Sequence, residues 1–145
     1  MDMIELETRV TRIEDIEAIK QLKARYCEAC DDNHNPEKVA ATFVEDGIWD
    51  GGDLGKAQGQ EAIRELFRGF QKSISFSQHN IMNPIIDVVG TRATGIWYLH
   101  GPFTFDEDHD TKLFTLRYDD DYVKVNGEWK HQHLRAMLRL STALS

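Results

Sequence analysis

The chain has 145 residues, of which 41% are hydrophobic and 29% charged, and its formal net charge is −8. That composition suits one globular core and excludes wholesale disorder, while the acidic balance and the lack of any basic cluster exclude a nucleic-acid partner. The apolar runs are too short to span a bilayer, and the acidic start Met1-Asp2-Met3-Ile4-Glu5 lacks an apolar secretory segment, so no membrane partner and a cytoplasmic location are expected.

Residues 6–31 predict a long helix. Val10, Ile13, Ile16, Ile19, Leu22, Tyr26 and Cys30 recur at intervals of three and four, which draws an apolar stripe along one face. Cys27 and Cys30 form a lone C-x-x-C late in that helix. A redox pair belongs at a helix N-terminus, where the dipole favours the thiolate, and no second Cys or His pair completes a zinc site, so both cysteines read as packing groups. The polar cluster Asp31-Asp32-Asn33-His34-Asn35 ends the helix. Pro36 then opens a short second helix over 36–43 behind an Asn cap. A strand is expected at 48–50, a glycine-rich loop at 51–55, and a third helix over 60–71 with Ile63, Leu66, Phe67 and Phe70 on one face.

From Ile74 the period changes to two. Strands are expected at 85–89, 93–105, 112–125 and 129–140, with a Gly90-Thr91 turn, an acidic tip at 106–110 and an Asn126-Gly127 hairpin turn between them. Three helices followed by a meander of long strands make a single α+β domain over 1–145, its helices packed on one face of a bent sheet. Asp106, Asp108 and Asp110 imitate a calcium loop, but Thr111 and Arg117 stand where that loop needs Gly and Glu. His131 and His133 alternate onto one strand face at a spacing that suits a metal, yet no third ligand accompanies them, so no metal is expected.

Three residues carry coherent chemistry. Tyr26 and Asp31 lie about 140° apart near the end of the first helix, so Tyr26 faces the sheet where Asp31 points to the side. His79 lies early in the first long strand, within Ser77-Gln78-His79-Asn80. A carboxylate beside an imidazole fixes its tautomer and stabilises the imidazolium formed on proton uptake, and a nearby phenol can hydrogen-bond an oxygen as charge develops.

The segment Ile16-Glu17-Ala18-Ile19-Lys20-Gln21-Leu22-Lys23-Ala24-Arg25-Tyr26, followed by Asp31, resembles the first helix of the SnoaL-like branch of the nuclear transport factor 2-like superfamily. So do His79 with Asn83-Pro84, Ala93-Thr94-Gly95-Ile96-Trp97-Tyr98-Leu99, and Asn126-Gly127-Glu128-Trp129-Lys130. The likeness covers nearly the whole chain and is nearest the scytalone dehydratase, hexachlorocyclohexane dehydrochlorinase and bile-acid 7α-dehydratase group. It implies a cone-shaped α+β barrel around a pocket, cofactor-free elimination by Asp31, His79 and Tyr26, and a homotrimer more than a dimer. Where the bile-acid enzymes carry an aspartate after the Trp-Tyr-Leu segment, this chain has His100-Gly101. The family's arginine on the last strand is matched by Arg135 and Arg139 alike.

The sequence therefore leads to a lyase, a dehydratase or similar eliminase, acting on a small hydrophobic and cyclic molecule. The expected wall is Trp49, Phe67, Trp97, Phe103 and Phe114, with His133, Arg135 and Arg139 as candidates to orient the substrate. A ketosteroid-type isomerase and a non-catalytic binding or assembly module of the same fold are the alternatives.

Overall fold

In the computed structural model, which describes residues 1–144, three helices pack on one strongly curled sheet. Helix α1 (Met3–Asp31) starts at an Asp2 cap that accepts the Glu5 N–H at 2.8 Å. At 29 residues and ~1.5 Å per residue it is longer than the surface it covers. Only from Asp15 onward do its residues become buried, and Val10 and Ile13, expected on the packed stripe, are 44% and 67% exposed. Helix α2 (Pro36–Ala40) has the expected Asn35 cap, which accepts the Lys38 N–H at 3.1 Å. It stops three residues short of the expected end, because Thr42 turns its hydroxyl back onto the Val39 carbonyl and accepts the His131 N–H on its own carbonyl. Phe43 thus begins strand β1 (Phe43–Asp50), five residues before the expected start.

A single 3₁₀ turn (Gly52–Leu54) and strand β2 (Lys56–Gln58) lead into α3 (Gln60–Ser73), which buries Ile63 and Phe67. Strands β3 (Ile74–Ser77), β4 (Asn80–Val89), β5 (Arg92–Phe105), β6 (Asp110–Val125) and β7 (Glu128–Ala143) follow. The order β2-β1-β7-β6-β5-β3 is antiparallel throughout except for β1 against β7, and β4 extends the β3 edge along β5. The sheet is therefore mixed. Asn126 and Gly127 both take positive φ (52° and 80°), as the tight turn between β6 and β7 requires.

Two irregularities of register on β7 bend the sheet and reset which side chains face inward. Tyr122 pairs with His131 and Asp121 with His133, so Gln132 is an extra residue; Leu116 pairs with Leu138 and Thr115 with Leu140, so Arg139 is another. The first places His131 inside the core and His133 outside, so the two histidines do not share a face as their spacing predicts.

One end of the curled sheet is filled. Lys23 and Asp120, both 0% exposed at their side chains, pair at 2.7 Å. Tyr122 donates to the same carboxylate at 2.7 Å and accepts from Trp97 Nε1 at 3.0 Å. The Lys23 ammonium also sits 3.6 Å from the Tyr118 ring centroid. Removal of either charge would leave its partner buried without a counter-charge, a cost of about 3–5 kcal/mol. The other end of the cone stays open. Among the described residues, no helix is long and apolar enough to cross a membrane.

Candidate active site

The open end holds a cavity of about 360 Å³ between α1, α3 and the inner faces of β5, β6 and β7. Helix α1 delivers Tyr26 and Cys30 to its wall and ends on Asp31 at its edge. The break between β3 and β4 delivers His79. Ser77 pairs with Phe103 and Asn80 with His100, and between them the Gln78 N–H reaches the Pro102 carbonyl at 3.1 Å. The His79 N–H leaves the ladder and donates instead to Asp31 Oδ2 at 2.8 Å.

Gly101 makes this path possible. A Cβ at Gly101 would lie 1.8 Å from the Gln78 carbonyl oxygen, so any side chain there would push away the backbone that carries His79.

Asp31 Oδ1 meets His79 Nδ1 at 2.5 Å and accepts the Ser77 hydroxyl at 3.0 Å. Partial burial pushes the Asp31 carboxyl up, but the His79 ring and backbone N–H and the Ser77 hydroxyl outweigh it and hold the group below its ordinary value. An ionised Asp31 makes Nδ1 the donor, so the Nε2 lone pair is the one left for chemistry. No protein group bonds Nε2 among the described residues. The His79 side chain is 6% exposed and lies on the cavity wall, edge-on to Phe103 at 4.9 Å.

Tyr26 is 1% exposed, and its hydroxyl accepts Trp49 Nε1 at 2.8 Å. Burial, with Cys30 and Tyr118 alongside, holds the phenol well above its ordinary pKa, so it is a neutral donor. The expected wall residues Trp49, Phe67, Phe103 and Phe114 line the cavity. Trp97 does not: it is buried at the filled end, bonded to Tyr122. Nor do His133, Arg135 and Arg139, which the alternation and bulges of β7 turn outward. His133 lies 3.0 Å from Arg135, Arg135 pairs with Asp121 at 3.0 Å, and Arg139 donates to the Tyr98 hydroxyl at 3.2 Å. Groups beyond the sequence reading also line the space, notably His34, Phe70 and Tyr118. The inward parity of β6, set by its pairing with β5, carried the signal for Tyr118; the polar cluster after α1 gave none for His34. Among the described residues no group of three or more His, Cys, Asp or Glu gathers to hold a metal ion.

The model of the SnoaL-like domain matches residues 11–135. The chain belongs to the SnoaL-like domain family. A candidate scytalone dehydratase from Novosphingobium aromaticivorans shares 25% identity with this SnoaL-like chain, at a TM-score of 0.85 over 94% of it and 92% of the other. A candidate aromatic ring hydroxylase from the same organism shares 24%, at a TM-score of 0.83 over 90% and 94%. The hexachlorocyclohexane dehydrochlorinase of type 3 from Novosphingobium barchaimii shares 19% identity and the fold, at a TM-score of 0.87 over 94% of each chain. Among curated proteins none matches the sequence.

Proposed function

We propose that this SnoaL-like domain is a cofactor-free lyase that eliminates water or halide from a small hydrophobic ring. The observation that carries the reading is an imidazole locked by a carboxylate at 2.5 Å, with its second nitrogen unclaimed on the wall of an apolar cavity. In the proposed step Nε2 of His79 takes a proton from a ring carbon. The electrons of that C–H bond form the C=C bond, and the leaving group departs from the neighbouring carbon with its bonding pair. A departing hydroxide takes the proton back from the His79 imidazolium and leaves as water, whereas a halide leaves without one and the imidazolium releases its proton to solvent. Asp31 stabilises the imidazolium, and the neutral Tyr26 phenol donates to the departing or carbonyl oxygen. The similarity to a candidate scytalone dehydratase supports the same class.

The isomerase alternative uses the same base and differs in product. Against a non-catalytic module stand the unfilled cone and the sheltered His79. The test is a panel of one- and two-ring alcohols and halides with an acidic C–H beside the leaving group, followed by halide release, by alkene absorbance and by product mass. Elimination unaffected by chelators supports the reading. Double-bond migration with no leaving group lost identifies the isomerase, and no turnover across the panel together with tight binding favours the module.

A further inference from the structure

The dyad leaves a second imidazole of the cavity unused. His34 follows the last turn of α1, where its N–H donates to the Cys30 carbonyl at 2.9 Å and the Asn35 N–H to Ala29 at 3.0 Å. This closure puts Asn33 and His34 in the left-handed region, at φ 51° and 46°. Glycine or asparagine is the relaxed choice there, and a histidine pays a steric penalty. The backbone turn sends the ring inward: His34 is 5% exposed, with centroids 6.0 Å from Phe67, 5.8 Å from Phe70 and 6.2 Å from His79. Among the described residues no group hydrogen-bonds the His34 ring, and its nitrogens are not among the sealed, unpartnered atoms of the interior. They open onto accessible space, and the residue lines the cavity.

Burial, with His79 as neighbour, lowers the pKa of His34 to about 4. At neutral pH the ring therefore carries one N–H donor and one acceptor nitrogen. The ring nitrogens face accessible cavity space, so an oxygen of a ligand that fills the cavity can engage the donor or the acceptor, which the aromatic wall cannot do. We propose that His34 binds a hydroxyl or carbonyl oxygen of the substrate, so that the cavity selects oxygenated rings over bare hydrocarbon or halocarbon ones. The proposal rests on the reading of this cavity as the substrate site. It makes His34 a binding and selecting residue that works beside the base, and it narrows the substrate to a ring with an oxygen on the α3 side.

The test titrates the wild-type protein and His34→Phe, which keeps the ring packing, with 2-naphthol and with naphthalene. Removing one neutral hydrogen bond should lower the preference for naphthol over naphthalene by about five- to tenfold. Independently, in the wild-type protein the ring ¹⁵N signals of His34 should move with 2-naphthol and stay in place with naphthalene, which decides the matter even where the variant folds poorly. A preference unchanged within twofold in folded His34→Phe, or His34 nitrogen signals indifferent to the hydroxyl, overturns the proposal and leaves the dyad reading intact. Failure of both probes to bind the wild-type protein would remove the cavity reading and this proposal with it.

Discussion

Asp31→Asn separates a chemical role for the dyad from a packing role. The carboxylate accepts the His79 N–H at 2.8 Å, the ring Nδ1 at 2.5 Å and the Ser77 hydroxyl at 3.0 Å. An amide offers one accepting oxygen and one donating nitrogen. If its oxygen stays on the backbone N–H, its NH₂ faces Nδ1, and the ring can satisfy it only by moving its own proton to Nε2. The base would then be capped by a proton in the ground state. Replacing a charge-assisted bond by a neutral one costs about 1–2 kcal/mol, toward the lower figure because the Asp31 side chain is 26% exposed. For 145 residues, at ~2.1 cal/mol/K of unfolding entropy per residue, that lowers the midpoint by about 3–6 °C. Turnover should fall far more, by about two to four orders of magnitude. Thermal melts, turnover on a substrate from the panel and ring ¹⁵N spectra read the three effects together. A variant whose His79 keeps its proton on Nδ1, or whose turnover falls only with its folded fraction, would show that the Asp31 carboxylate does not set the tautomer of the base.

Gly101→Ala should destabilise the fold by about 3 kcal/mol in urea unfolding, since its Cβ would meet the Gln78 carbonyl oxygen. Its folded fraction should also turn over more slowly, because His79 is the next residue along that backbone. Acid should weaken the protein through His34. The native state keeps this ring neutral down to about 4 where an unfolded His binds a proton near ~6.5, so the unfolded state holds more protons in that window and stability falls as pH drops through it. The full effect is about 3 kcal/mol, and His34→Phe should flatten the wild-type slope between pH 6.5 and 4 by that amount; His131, also held neutral by burial, continues to contribute in both proteins. Asp31, with its lowered value, keeps its contribution above the ordinary carboxylate range and loses it as pH falls below that range. Light scattering should give an oligomer, because Ile85, Leu138 and Leu140 leave 61%, 47% and 53% of their surface exposed on the sheet, and a trimer is the state the family resemblance implies; a monomer mass across a wide concentration range would remove that expectation.

The ends of α1 and α3, the Asn126-Gly127 turn and strands β5 to β7 follow from local rules and fall near their expected bounds. By contrast, α2 ends early, β1 and β4 each begin five residues before their expected starts, and the short strands β2 and β3 carry too little periodicity to be read. The meeting of Asp31 with His79 is different in kind. It depends on a break between β3 and β4 that no periodicity encodes, and it was legible only because Tyr26, Asp31 and His79 occur together in one family pattern. What stayed hidden has a geometric cause. Trp97 shares its strand face with Phe103, yet one lies at the filled end of the cone and the other at the open end, a distinction that alternation cannot make. On β7, an extra residue at Gln132 reverses the alternation, so His133 and Arg135 face away from the cavity. His34 reads as one polar residue in a helix-ending cluster, and only the left-handed turn after α1 sends its ring inward.

Turnover by His79→Gln, measured beside its thermal midpoint, tests whether His79 is the base. Glutamine is polar and of similar reach, but it cannot accept and hold a proton. If His79 is the base, turnover should fall by about 10²- to 10⁴-fold while the midpoint moves by only a few degrees, since the ring provides little of the core packing. A variant that retains wild-type turnover, or one whose turnover loss is matched by its loss of folded protein, would contradict the assignment.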